Sequence, residues 1–149
     1  MAELWYDRYD SLLQCKFENQ SPIIVYANDA DYHQRGILSD LIEVDEGGAT
    51  KEIRNRLNMP HAESFSTTNH VLGHEITHVF QFDILRNSDS TNIYSIYNLQ
   101  LWMVEGMSEY HSLGSTNVNR AIWMRDAVLK NKLPSIDQLS TKFQYSELA

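Results

Sequence analysis

The residues of this chain whose types and spacing can do chemistry are His74-Glu75-Ile76-Thr77-His78. On an α-helix, positions i and i+4 are neighbours on one face, so both imidazoles aim at one point. Imidazole nitrogens bind Zn²⁺ at about 2.0–2.1 Å. Glu75 follows His74 directly and leans toward the same cavity without being a ligand. A carboxylate so placed can take a proton from a water that the metal has made acidic. The flanking residues Val71, Leu72, Val79 and Phe80 are uncharged and no Pro interrupts them, which suits a helix with a buried metal face. The competing reading is a surface helix that carries two His and a Glu by chance. A third protein ligand separates the two, because a catalytic zinc site needs one.

Three placements compete for that third ligand. Six positions beyond His78 stands Ile84, which cannot coordinate. Asp83 would lie on the same rigid helix, turned away from both His, and is expected to face solvent or make a hydrogen bond. Glu105 lies in Trp102-Met103-Val104-Glu105-Gly106-Met107-Ser108-Glu109-Tyr110, far enough on for one helix to end and a second to pack alongside. Glu109, one turn later, shares the face of Glu105. Metal-bound His usually donates its other ring proton to a carboxylate, and Glu109 is placed to accept it from His74. The alternative is an acidic surface pair on an amphipathic helix. Two carboxylates among so many apolar residues would be costly without a cation, and zinc supplies one. His70, one turn before His74, is expected to line the cavity or face solvent.

The elements that must position these residues follow from periodicity. Trp5, Tyr9, Leu12, Leu13 and Phe17 fall at helical spacing over 3–17 and predict an amphipathic helix on a sheet. Asn19–Pro22 breaks the chain, and Ile23–Tyr26 reads as a short, well-buried strand. Asn28–Asp31 reads as a turn before a short helix at Tyr32–Arg35, and residues 36–50 as loop. From Lys51 to Met59 the pattern alternates, with Ile53, Asn55, Leu57 and Met59 on one side and Arg54, Arg56 and Asn58 on the other. That predicts a half-exposed edge strand ended by Pro60. Its charges guard against aggregation, or its free backbone pairs with an extended peptide. Ser66, or Thr67 or Thr68, is expected to cap the His74 helix, which runs to about Arg86. The polar stretch Asn87–Asn92 would then lie over the cleft. A second helix, Leu99–Leu113, stops at Gly114. A third, Asn117–Lys130, is expected to turn Ile122, Trp123, Ala127 and Val128 inward. Ser135 with Gln138 is a capping-box signature for a short last helix.

Composition narrows the classes. The 149 residues favour one domain, 1–149, with sheet and His74 helix in a lobe of about 1–86 and a helical part over about 87–149. A hydrophobic share of 42% is enough for a sizeable core. The net charge of −8 argues against nucleic acid and anionic membrane as partners, since both require clustered Lys and Arg. No apolar run approaches the roughly 20 residues of a membrane span, and no signal peptide is visible. Cys15 is the lone cysteine, so neither an internal disulfide nor a Cys-rich zinc site is available.

Taken together, His-Glu-x-x-His followed by Trp102-x-x-Glu105-Gly106-x-x-Glu109-Tyr110 resembles the gluzincin zinc peptidases, the group of thermolysin and aminopeptidase N. The segment is most similar to bacterial peptidase-MA-like domains that often precede a TolB-like β-propeller. The likeness covers roughly Pro22 to Leu139. It includes the Ile23–Tyr26 strand, Gly47-Gly48 before Ile53-Arg54-Asn55-Arg56, His78-Val79-Phe80-Gln81-Phe82-Asp83, and Trp123-Met124-Arg125-Asp126-Ala127. It implies an α+β, zincin-like fold with an edge strand over the active-site helix. It also implies one Zn²⁺ on His74, His78 and Glu105, Glu75 as catalytic base, and Glu109 behind the ligands. Ile53, Arg54, Asn55 and Arg56 would form the upper rim of the cleft, against which substrate lies. Related enzymes stabilise the oxyanion with a later Tyr or His, for which Tyr110, His111 and Tyr145 are the candidates. Relatives of this type are often in the cell envelope or secreted, and the chain looks like a trimmed or minimal form of them.

The expected activity is hydrolysis of peptide bonds in a peptide or protein substrate, with Glu75 assisting attack by zinc-activated water. The alternative is a zinc-stabilised domain that binds peptide or protein and has little or no catalysis. A third reading is a helical core without metal. Unperturbed His titrates near 6.5, so metal affinity is expected to weaken as pH falls through about 6.

Overall fold

The computed structural model describes residues 1–15, 21–34, 49–51, 56–62, 64–88 and 100–142. They form a small, mostly helical α+β fold in the order α1 (Ala2–Leu13), β1 (Ile23–Tyr26), α2 (Asp29–Gln34), β2 (Ala49–Lys51), β3 (Arg56–Pro60), α3 (Phe65–Ser88), α4 (Leu101–Leu113), α5 (Val118–Leu129) and α6 (Ile136–Lys142). The sheet is mixed, in the order β1-β3-β2. β1 runs parallel to β3, with Ile23 opposite Leu57, and β2 runs antiparallel to it, with Thr50 opposite Leu57.

This order corrects the expected edge strand. β3 is the central strand, flanked on both sides, and Leu57, Asn58, Met59 and Pro60 are all buried. Arg56 is therefore part of an occupied ladder, opposite Lys51, and offers no free edge to a peptide. Ile53, Arg54 and Asn55 lie outside the described residues. Alternation alone did not reveal this, because a strand covered on both faces buries its polar positions too. β1, expected to be well buried, is an edge among the described strands, and Val25 is exposed. Ala49 and Thr50, expected as loop, join Lys51, expected to begin the 51–59 strand, in a separate third strand.

The core forms where α1 and the sheet meet α3. Trp5, Tyr9, Leu57, Met59, Leu72, Ile76 and Phe80 pack together. Trp5 and Tyr9, one turn apart, stack at 5.6 Å, and Tyr9 leans on Phe80 at 5.7 Å. α1 is shorter than its apolar spacing predicts, because Gln14 turns left-handed at φ 50° and ends it. Leu12, within the helix, is exposed rather than packed on the sheet, and Phe17 lies outside the described residues. α2 starts earlier than expected because Asn28 Oδ1 accepts the Asp31 amide at 2.9 Å.

Caps set the remaining helices. Ser64, not Ser66, opens α3, its hydroxyl accepting the Thr67 amide at 3.0 Å. Gly114, at φ +80°, closes α4 by donating to Tyr110 O. Asn117 Oδ1 caps α5 through the Arg120 amide. The capping box of α6 forms as expected. The Ser135 amide donates to Gln138 Oε1 at 2.8 Å, and the Gln138 amide donates to Ser135 Oγ at 3.3 Å. α5 departs from expectation. No residue of it is buried, and Ile122, Trp123 and Val128 face outward. Among the described residues, no helix is long and apolar enough to cross a membrane.

Candidate metal centre

α3 and α4 lie side by side and bring the distant carboxylates to the two imidazoles. His74 Nε2 stands 3.1 Å from His78 Nε2 and 3.1 Å from Glu105 Oε2, and His78 Nε2 stands 3.4 Å from the same oxygen. All three side chains are nearly enclosed. Ligands held at about 2.0–2.1 Å by one tetrahedral ion stand roughly 3.3–3.4 Å apart, so this triangle has the size of three corners of such a site. Glu75 is buried beside it, with a carboxylate oxygen within 4.8 Å of both imidazoles. Glu105 is the nearer of the two carboxylates, and its oxygen closes the triangle.

Hydrogen bonds on the far side of each ring fix where the protons sit. Val104 O can only accept, so Gln81 Nε2 donates to it at 3.0 Å, which turns Gln81 Oε1 toward His78 Nδ1 at 2.9 Å. Ser108 Oγ also donates to Val104 O and so presents lone pairs to His78 Nδ1 at 3.1 Å. His78 Nδ1 therefore carries a proton. On His74, Nδ1 faces Glu109 Oε1 at 3.3 Å, again an acceptor. With both Nδ1 atoms protonated, both Nε2 lone pairs and Glu105 Oε2 point at one another within 3.4 Å. Such a contact is repulsive unless a cation or an extra proton sits in it. The residues present thus fit a metal ion, and the buried His74-Glu75-His78 group could hold one.

The charges agree. Burial opposes a positive His74, but its hydrogen bonds to Glu105 and Glu109 and the charges of Glu75 and Glu105 outweigh that and lift its pKa to about 10. His78 is raised as well, against burial, by Glu105 and Glu75. The pocket favours positive charge at the imidazoles. Compared with protein-family models, curated proteins and solved structures, the chain matches none.

The sequence had brought forward His74, Glu75, His78, Glu105 and Glu109, and these five meet at one place. Glu109 does more than accept from His74. Its Oε1 lies 3.5 Å from His70 Nε2 and its Oε2 2.5 Å from an Arg120 nitrogen. Burial would raise its carboxyl pKa, but His70, His74 and Arg120 hold it well below the ordinary carboxylate range. His70 thus takes the cavity side. Asp83 is buried rather than facing solvent. Of the oxyanion candidates, His111 packs edge-on against Tyr9 at 6.0 Å, on the α1 side, and Tyr110, 52% exposed, packs edge-on against His111 at 5.4 Å. Tyr145 and the stretch 89–99 lie outside the described residues. Gln81, Ser108 and Arg120 were missed. Gln81 is three positions after His78 and Ser108 three after Glu105, so helical spacing could have found both. Arg120 reaches Glu109 across a turn between helices, and no spacing announces it.

Proposed function

We propose that the chain is a zinc-dependent peptidase of the gluzincin type, in a zincin-like arrangement of sheet, α3 and α4. The observation that carries this reading is the triangle of His74 Nε2, His78 Nε2 and Glu105 Oε2, with Glu75 buried beside it. Two imidazoles and one carboxylate are a donor set that suits Zn²⁺ and leaves its fourth position open. Bound there, the ion supplies a Lewis acid that polarises a carbonyl and brings the pKa of water toward about 7. Glu75 takes the proton of the attacking water and returns it to the leaving amine. Glu109 and Gln81 keep the two imidazoles in the tautomer that ligation needs. With β3 enclosed, an extended substrate would pair with β2, which among the described strands is the edge that adjoins α3.

Glu75→Gln tests the reading, since it removes the base and leaves the donor triangle intact. The variant should bind one zinc per chain and lose peptide turnover by at least about 100-fold, the lower end of general-base contributions. The measurement is chelator-sensitive digestion of a peptide library beside elemental analysis. Cleavage by the variant at the parent rate sinks the assignment of Glu75. Stoichiometric zinc with no cleavage by the parent replaces the peptidase with a zinc-stabilised peptide-binding domain.

A further inference from the structure

α5 has no buried residue, yet it reaches the metal centre. Among the described residues, Arg120 is the one side chain of α5 that hydrogen-bonds another element. Asn117 caps α5 by accepting the Arg120 amide at 3.1 Å, and the Arg120 side chain places a guanidinium nitrogen 2.5 Å from Glu109 Oε2. That bond occupies one carboxylate oxygen and leaves the other, Oε1, on His74 Nδ1 at 3.3 Å and His70 Nε2 at 3.5 Å. Glu109 is more than a third exposed, so water competes for it. Without a fixed partner on Oε2 its carboxylate is free to rotate off the imidazole.

We propose that Arg120 is a positioning residue of the metal centre, which acts through Glu109 to hold His74 in its ligating orientation and ties the seating of α5 to metal affinity. The inference rests on the metal reading above. By reciprocity, if a seated α5 raises zinc affinity, zinc must hold α5 in place by the same factor. Arg suits this role because its planar fork holds a carboxylate in orientation, which the ammonium of Lys does less well.

The experiment measures Zn²⁺ affinity of the full chain by competition with a chromogenic chelator. It also follows hydrogen exchange of the α5 amides with and without zinc. Arg120→Ala should weaken zinc binding by about 10–100-fold, the usual cost of losing a partner behind the ligands. Arg120→Lys should recover part of that loss. In a Glu109→Gln background, Arg120→Ala should change affinity by less than about twofold, because the route through Glu109 is already cut. Zinc should slow α5 exchange in the parent and not in Arg120→Ala. Equal losses in the parent and Glu109→Gln backgrounds would overturn the proposal, as would parental affinity in Arg120→Ala. A parent that binds no zinc at all is a different failure: it removes the metal centre itself, and the role of Arg120 with it.

Discussion

α3 and α5 are both regular, well-capped helices rich in apolar residues, and they end in opposite environments. α3 is enclosed by α1, the sheet and α4, and from Leu72 to Asp83 every residue is buried. α5 buries none, and Trp123 and Ile122 are 61% and 59% exposed. Enclosure changes what polar residues must do. On α3, His74, Thr77, His78 and Gln81 each need a partner, and each has one: Thr77 Oγ1 donates to Gly73 O at 2.9 Å, and the others form the network that sets both imidazoles. On α5, Arg125 is exposed and can rely on water. The difference teaches that a side-chain group able to hold a metal follows from enclosure as much as from the motif. The same two His on a helix like α5 would be solvated and free to turn.

The largest effect expected from enclosure is on pH dependence. On a solvated helix, imidazoles of ordinary pKa stop competing with metal above about pH 7. Here the carboxylates hold a proton on His74 up to about pH 10, and metal must displace it. Apparent zinc affinity should therefore climb about tenfold per pH unit from 6.5 through 8.5, rather than level off. The metal-free protein moves the other way. A pKa raised from 6.5 adds stability that is complete below pH 6.5 and is lost as pH rises toward about 10. The gap in Tm between zinc-loaded and chelated protein should widen with pH over that range. An affinity plateau above pH 7 would show that His74 is as solvated as a surface imidazole.

Next in size is the contact that seats α1 on α3. A Cβ at Gly73 would meet the Trp5 ring at 2.6–2.8 Å, closer than side chains tolerate. Gly73 O also accepts the Tyr9 hydroxyl at 3.0 Å. Gly73→Ala adds helix propensity but forces Trp5 off its stack with Tyr9, and the overpacking should win, costing about 1–3 kcal/mol. Urea unfolding followed by Trp fluorescence measures it. An unchanged or raised midpoint would mean that α1 is not held against α3 in this way.

Much of the site was legible because its parts lie at helical spacing. His74 and His78, and Glu105 and Glu109, each sit one turn apart, and both helices formed close to where periodicity placed them. The two pairs do meet, although Glu109 is more than a third exposed, so the expected cost of burying it is smaller than its apolar neighbours suggest. Partners across elements were not legible. Arg120 lies on another helix from Glu109, and β2 takes up backbone pairing that no side-chain pattern announces. β3 misled for the same reason: its alternation says which faces differ, not whether neighbouring strands occupy both edges. α5 misled in reverse, since apolar residues at helical spacing mark a face without saying that anything covers it.

The smallest effect is expected on α5 itself. Trp123→Ser removes a large apolar side chain, which in a core would cost several kcal/mol. At an exposed position the indole gains little on folding, so the substitution should change stability by no more than about 0.5 kcal/mol. Removing an exposed indole should also lower any tendency to self-associate at high protein concentration. The experiment compares urea midpoints at two protein concentrations. If the loss exceeds about 1 kcal/mol and grows with concentration, a second copy covers the face, and the contrast with α3 belongs to the isolated chain rather than to its state in solution.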